Sequence, residues 1–515
     1  KPNERVIYEV MLIIHNFQPR LMSYLKLLMN KTIFVFAIDQ WIFERDIDRG
    51  LLGEAIAGKI VFPYKPLYGD MYLHEKEIAL KKRLTIELLE NLIVSFPELS
   101  QSIQIMPQYF LYEVILNRIR VFPLLTYDLA DLTNCIINNE DQALEAYKIV
   151  LKQLESQEKI LIKNSHILIT KKFIAQTKDP KIRIINRAKN APRTLFTVLF
   201  GVLPQLMSVA SQNAKSFLRT QKINWTLQPD TNYKAINPKK FVYIPTSKGL
   251  VPLSEKTDVK EFAQKMLLLK EQKVDVKRAG GILNDVYLIN AGETKVIAKQ
   301  FKDWSILKWF PLTLWSFGTF AVSGQARLAK EVAIGEFLRK KGFEVPKILH
   351  ASNAKRLVFM EFIEGENLSE IIKNYSDTDD NEPDNTYALE IIDKVGEIFA
   401  KIHGYNVSLG DTKPDNVIVT PDQKIFLIDF EQAKKGGDKT WDIAVFLYYC
   451  GHYLQPFDSE SKAEKITETF IKGYVKGGGK KEDIRKAGLT KYTRVFSIFT
   501  MPSIITAISK TCKKA

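Results

Sequence analysis

The sequence predicts an α+β chain in two parts: an α/β domain with a helical bundle, then a larger two-lobed domain. Three observations carry this. The apolar fraction is 46% over 515 residues, which is globular and gives ample core for two to four domains. Thr32–Ile38, Asp48–Ala57 and Lys59–Pro63 read as strand, helix, strand. Far downstream, strand patterns at Asn416–Thr420 and Lys424–Asp429 flank a Pro421-Asp422 turn. The expected boundaries are 1–170 for the first domain, 171–255 for a connector and 256–515 for the second domain, with lobes 256–362 and 363–515.

In the first domain, Thr32–Ile38 is a buried-strand run and Asp48 is the expected cap of the helix that follows. A long amphipathic helix is predicted over His74–Phe96, because Leu84, Leu88, Leu92 and Phe96 recur at a four-residue step. Further helices are expected at Gln108–Leu132 and Asp141–Leu161. Asp46 and Asp48 have the i, i+2 spacing of two acids on one strand face. A helix cap accounts for them more simply than a metal site.

The connector begins with the basic stretch Lys171–Arg193, read as a solvated loop, with a phosphate-contacting stripe as the alternative. Gln221–Pro252 carries Pro229, Pro238, Pro245 and Pro252 and reads as a linker.

In the second domain, Ala279-Gly-Gly-Ile-Leu-Asn-Asp-Val286 sits between strand-like runs, with Gly280 and Gly281 allowing close backbone approach. Lys295-Val-Ile-Ala-Lys299 follows. Residues 304–323 hold three Trp and three Phe and few charges. They are expected to pack as a helical subdomain or to dock a partner or membrane surface. Gln325–Lys340 is helical, with Glu331 and then Glu336 as candidate partners for Lys299. Glu344–Leu349 and Arg356–Gly365 are strand-like, and Asp377–Asp384 is an acidic loop expected to be mobile. His403 ends a helix and is expected to be a packing histidine. Then come LGDTKPDNVIV over Leu409–Val419 and IDFEQ around Asp429 and Phe430. Lys476-Gly-Gly-Gly-Lys-Lys481 is expected to be a flexible basic loop.

These motifs together resemble the protein-kinase-like superfamily across roughly 256–515. They are most similar to its small atypical members: the archaeal kinase of the KEOPS complex, the RIO kinases and the aminoglycoside-phosphotransferase-like kinases. The resemblance implies ATP and Mg2+ as cofactors. Phosphoryl transfer needs a carboxylate for the attacking hydroxyl and oxygen ligands for the metal ions. It makes Asp411 the base, Lys413 a cation near the γ-phosphate, and Asn416 and Asp429 the metal ligands. Lys299 would hold the α- and β-phosphates, braced by Glu331. Gly280, Gly281 and Val286 would cover the phosphates. Met360 would gate the adenine pocket, and backbone groups from Glu361 to Ile363 would pair with the base. Three departures stand out. Leu409-Gly410 replaces His-Arg, Asp429-Phe430-Glu431 replaces Asp-Phe-Gly, and Asp442 follows Asp429 by only thirteen residues. No activation segment fits in that space, so switching by loop phosphorylation is not expected and the usual peptide platform is missing. Asp442 is expected to brace the catalytic loop.

The first domain is similar to minimal nucleotidyltransferases over about 130 residues. The Gly-Ser turn with following acids that such enzymes need is absent. Such a domain would be inactive or would continue upstream of Lys1, since the chain opens without Met.

The net charge is +15, from 74 Lys and Arg against 59 Asp and Glu, which suits nucleic acid, nucleotide or an anionic membrane surface as partner. The three cysteines, Cys135, Cys450 and Cys512, fit neither zinc spacing nor a disulfide framework, which points to a reducing, cytoplasmic compartment. No signal peptide is evident. Thr194–Ala210 and Val495–Ile508 are apolar but fall short of a membrane span, leaving peripheral contact as the membrane alternative. The first functional reading is an ATP- and Mg2+-dependent Ser/Thr protein kinase, on the strength of Lys413. A kinase of small molecules or lipid headgroups is the second, and a non-catalytic scaffold binding RNA or protein the third.

Overall fold

The computed structural model describes residues 7–18, 20–28, 31–51, 54, 56–121, 139–177, 236–270, 274–280, 284–303, 323–377, 383–456 and 459–515. It is a mixed α+β structure that divides into two compact units, Lys1–Val242 and Tyr243–Ala515.

The first unit opens on a three-stranded sheet. The central strand Lys31–Asp39 pairs parallel with Ile7–Ile14 and antiparallel with Leu21–Leu28. The central strand follows the predicted run, whereas the two flanking strands were not anticipated. Two expectations that follow it fail together. The helix spans Gln40–Arg49 rather than Asp48–Ala57, and its cap is Asp39, whose side chain accepts the Trp41 amide hydrogen at 3.0 Å. Gly50, at φ 61°, ends it. Asp48 therefore lies inside the helix. Asp46 is buried and accepts the amides of Glu54 and Ala57 at 3.0 and 3.1 Å. Those bonds fold the chain into a 3-10 turn at Ala57–Val61, where Lys59–Pro63 had been expected to be a strand.

The long helix is present as Asp70–Ser95, with Leu84, Leu88, Leu92 and Phe96 buried as their spacing requires. Helices Pro107–Val121 and Asn139–Ser156 pack with it, and a small antiparallel sheet joins Ile160–Lys163, His166–Ile169 and Gln104–Ile105. Lys171–Thr177 is a helix; the remainder of the basic stretch and the apolar run Thr194–Ala210 lie outside the described residues.

In the second unit, the end of the stretch read as linker is folded. Val242–Thr246 and Gly249–Pro252 form a hairpin, and the amide and hydroxyl of Ser247 both donate to the Ile348 carbonyl, at 2.9 and 2.6 Å. A helix at Val259–Lys270 stacks Phe262 on Phe359, ring centres 4.0 Å apart. The main sheet is antiparallel, in the order Ile348–Ser352, Leu357–Glu361, Thr294–Phe301, Asn284–Ala291, Val274–Gly280. Helix Gly324–Lys340 packs against it.

The rest is mostly helical, around one large core that includes Phe399, Phe446, Phe470 and Tyr474. The Gly477–Gly479 stretch is a tight turn, where a flexible loop had been expected. The amides of all three glycines return to Gly473, Val475 and Tyr474, and a Cβ on Gly479 would fall 2.1 Å from the Tyr474 ring. Val495–Ile508 is split by Phe496–Ile498, a 3-10 turn, and by Pro502, which starts the last helix; Phe496, Ile504 and Ile508 are buried in the core. Among the described residues no helix is long and apolar enough to cross a membrane. Cys450 and Cys512 are free and buried, and Cys135 lies outside the described residues.

Candidate active site

The strand pair Val417–Val419 and Ile425–Leu427 sets the site. Its turn is closed by the Thr420 amide on the Lys424 carbonyl at 3.0 Å. The chain entering the first strand carries Asp411, Lys413 and Asn416, and the chain leaving the second carries Asp429. Asp411, Thr412, Asn416 and Asp429 line one small cleft, with Phe399, Leu409 and Phe430 behind them.

The entering loop is held from below. Gly410 sits at φ 82°, and a Cβ there would come within 2.7 Å of the Gln432 carbonyl, so only glycine fits. Asp442, fully buried, accepts the amides of Leu409 and Gly410 at 2.6 and 2.7 Å and contacts His403 Nε2 at 3.0 Å. The His403 Nδ1 meets the Tyr474 hydroxyl at 2.8 Å, so this histidine is saturated by packing partners. Trp441 donates from its indole to the Gly410 carbonyl at 3.0 Å. Asp442 is thus a bracket for the loop.

On the cleft side, Lys413 Nζ lies 3.3 Å from Asp411 Oδ2. Burial raises the Asp411 pKa above the usual carboxylate range against the opposing pull of Lys413, although 31% of its side chain remains exposed. Asn416 donates its amide nitrogen to the Asp411 carbonyl at 2.8 Å. That orientation commits the nitrogen and leaves the amide oxygen as the group that can serve a cation.

Lys299 reaches the same place from the sheet, where it pairs with Val286 and Val358. Its ammonium is 2.7 Å from Asp429 Oδ1, 3.1 Å from Glu431 Oε2 and 3.3 Å from Glu331 Oε2. Burial alone would lower its pKa, but the charges of Asp429, Glu331 and Glu431 outweigh that and raise it. Glu331 is pushed up to about 7 by burial, with Lys299 opposing. Asp429, also desolvated, is nonetheless held below the carboxylate range by Lys299. Asp429 adopts φ 67°, in the left-handed region that Asp tolerates better than most residues. Glu336, the alternative partner for Lys299, pairs with Arg339 instead.

The remaining predicted residues fall nearby or beyond the described chain. Gly280 ends its strand opposite Val286, and Gly281 lies outside the described residues. Met360 is buried on the strand Leu357–Glu361. The Glu361 amide is committed to the Lys347 carbonyl at 2.9 Å and the Phe362 amide to the Lys295 carbonyl at 3.4 Å. Of the amides among these backbone groups, that of Ile363 alone has no partner among the described residues. The aromatic stretch 304–322 and the acidic residues 378–382 are outside the described residues.

One site residue was missed. Glu431 was read only as a departure from glycine, yet it joins Glu331 and Asp429 in a tight carboxylate cluster. Its signal was present in the sequence: an acid directly after Asp-Phe, where glycine is usual.

The segment after Asp429 folds back on the loop. Lys434–Lys435 pairs with Val407–Ser408, and Asp438 caps the helix Lys439–His452 by accepting the Thr440 and Trp441 amides.

The model of the lipopolysaccharide kinase (Kdo/WaaP) family matches residues 318–442, about a quarter of the chain. The match begins after Lys299 and takes in Glu331, Met360, the Asp411–Asn416 loop, Asp429 and Asp442. No curated protein matches the chain. The family is kinase-like, and the match supports a phosphotransferase of the kinase fold that uses ATP.

Proposed function

We propose that the second unit transfers the γ-phosphoryl group of ATP, with Mg2+, to a hydroxyl on a sugar or lipid headgroup. The observation that carries the phosphotransfer is the meeting of Lys299 with Asp429 and Glu331, at 2.7 and 3.3 Å, beside the cleft that holds Asp411 and Asn416. Lys299 orients the α- and β-phosphates, and Glu331 orients Lys299. The Ile363 amide reads the adenine edge. Asp411 takes the proton of the attacking hydroxyl as its oxygen bonds to the γ-phosphorus, the bond from that phosphorus to the bridging oxygen breaks and ADP leaves with the bonding pair; Lys413 lies beside the developing charge. The hard oxygen donors of Asn416 and Asp429 fit Mg2+, which when bound neutralises phosphate charge.

Two observations support the choice of acceptor: the likeness to a lipopolysaccharide kinase family, and the short folded-back segment between Asp429 and Asp442. A lipid-linked acceptor also suits the +15 charge, which favours an anionic surface. A Ser/Thr protein hydroxyl is the second reading, and Lys413 at 3.3 Å from Asp411 favours it.

Incubation of the chain with γ-labelled ATP and a cell extract, afterwards separated into glycolipid, small-molecule, RNA and protein fractions, tests both readings. Label is expected in the glycolipid or small-molecule fraction and lost with Asp411→Ala. Label in protein alone would replace the first reading by the second. No Asp411-dependent label in any fraction would remove both.

A further inference from the structure

We infer that Glu431 is a positioning residue that clasps three separate elements around the Lys299 site through Arg327 and Asn284. This rests on the phosphotransferase reading above. Glu431 Oε1 lies 2.5 Å from Arg327 Nη2, while its Oε2 lies 3.1 Å from Lys299 Nζ and accepts from Asn284 Nδ2 at 2.7 Å. Arg327 Nη2 also donates to Asn284 Oδ1 at 2.7 Å, closing a three-membered ring of side chains. All three are buried, and Arg327 shows no exposed surface at all.

Each member comes from a different element. Asn284 opens the strand Asn284–Ala291, Arg327 lies on helix Gly324–Lys340, and Glu431 follows the proposed metal ligand. Arg327 and Glu331 are four residues apart, so they share one face of that helix. The triplet after the strand is tied at every position. Asp429 bonds Lys299, the Phe430 amide donates to Glu331 Oε2 at 3.1 Å, and Glu431 holds Arg327. A glycine in place of Glu431 would make none of these side-chain bonds and would leave the backbone freer to turn. With Glu431, movement of the triplet away from the helix would strand a buried arginine and a buried carboxylate, which is strongly unfavourable. The clasp holds helix, strand and metal segment in one arrangement without any phosphorylated loop.

The test is a double-mutant cycle on the full chain, reading Mg-ATP hydrolysis with water as acceptor, and Mg-ATP binding by calorimetry. Misplacement of reacting groups costs turnover more than binding, so Glu431→Gln and Arg327→Met are each expected to lower kcat about tenfold while the dissociation constant stays within about threefold. The double variant is expected to be no worse than the worse single, because both break one linkage. If either single variant fails to fold, Asn284→Ala loosens the strand while keeping the ion pair, and a fall in kcat of about threefold is expected. The inference is overturned if kcat stays within about twofold of wild type in the variants that fold, or if the single effects multiply in the double. Wild-type protein that neither binds nor hydrolyses Mg-ATP, with Lys299→Met indistinguishable from it, would instead remove the phosphotransferase reading, and the clasp with it.

Discussion

Two buried charge centres in the second unit are built in opposite ways. At Asp442, one carboxylate meets the Leu409 and Gly410 amides and the His403 ring, and its needs are met by backbone and a ring nitrogen. At Lys299, three carboxylates crowd one ammonium, and Arg327 adds the second cation. Two positive charges face three negative ones; Glu331 is lifted to about 7 chiefly by burial, with Lys299 opposing and the charges of Asp429 and Glu431 adding to the rise. A carboxylate that is fully bonded locks a loop. A cluster left with surplus charge is poised for a ligand that brings its own ions. Under the proposed function the first centre is scaffold and the second is site.

The largest effect that can break this comparison is expected from Lys299→Met. It removes the shared cation, so Mg-ATP turnover should fall by about 100-fold or more. Losing the partner of buried carboxylates should also cost about 3 kcal/mol in urea unfolding. Turnover that survives the substitution would move Lys299 out of the site and leave the centre purely structural.

Asp442→Asn comes next. The new NH2 must face one of the two amides that Asp442 now accepts, which is expected to cost about 2 kcal/mol. Because the loop loses its bracket, turnover should fall as well, yet by less than in Lys299→Met. A large loss of turnover with unchanged unfolding free energy would mark Asp442 as part of the chemistry rather than its support.

The contrast also explains what the sequence could and could not show. Lys299, Asp411, Asn416 and Asp429 stand at fixed short spacings inside strand and turn signals, and the structure brings all four to the same cleft or its edge. Glu431 and Arg327 are 104 residues apart, so their pairing has no local signature. The first unit was less legible for a related reason. Asp46 and Asp48 read alike as cap residues while Asp39 drew no reading, and only three-dimensional neighbours decide among the three. Asp39 caps, Asp46 ties down the amides of Glu54 and Ala57, and Asp48 is left in the exposed last turn. The flanking strands Ile7–Ile14 and Leu21–Leu28 exist by pairing with the central strand, which single-strand pattern does not reveal.

Asp46 extends the scaffold type to the first unit. Asp46→Asn turns one acceptor into a donor facing an amide and is expected to cost about 1–2 kcal/mol. Mg-ATP turnover per folded molecule should be unchanged. Thermal unfolding alongside a turnover assay separates the two. A drop in turnover at full folding would join Asp46 to the chemistry and erase the distinction between the two types of carboxylate.

The smallest effect expected is the most specific. Asp411 must be ionised to accept a proton, so turnover should be lost as pH falls through its pKa. Burial raises that pKa, and Lys413 lowers it. Removing the lysine charge in Lys413→Met leaves burial unopposed, and the acid limb of the kcat profile should move to higher pH. Part of the plateau should be lost too, because the cation beside the transferred group is gone. The limb and the plateau report different roles of Lys413, and a salt titration distinguishes them further, since an interaction with a 31% exposed carboxyl is partly screened. An acid limb that stays fixed while the plateau drops would assign the limb to another group and leave Lys413 a phosphate contact alone. In that case Asp411 would be an orienting carboxylate rather than the base.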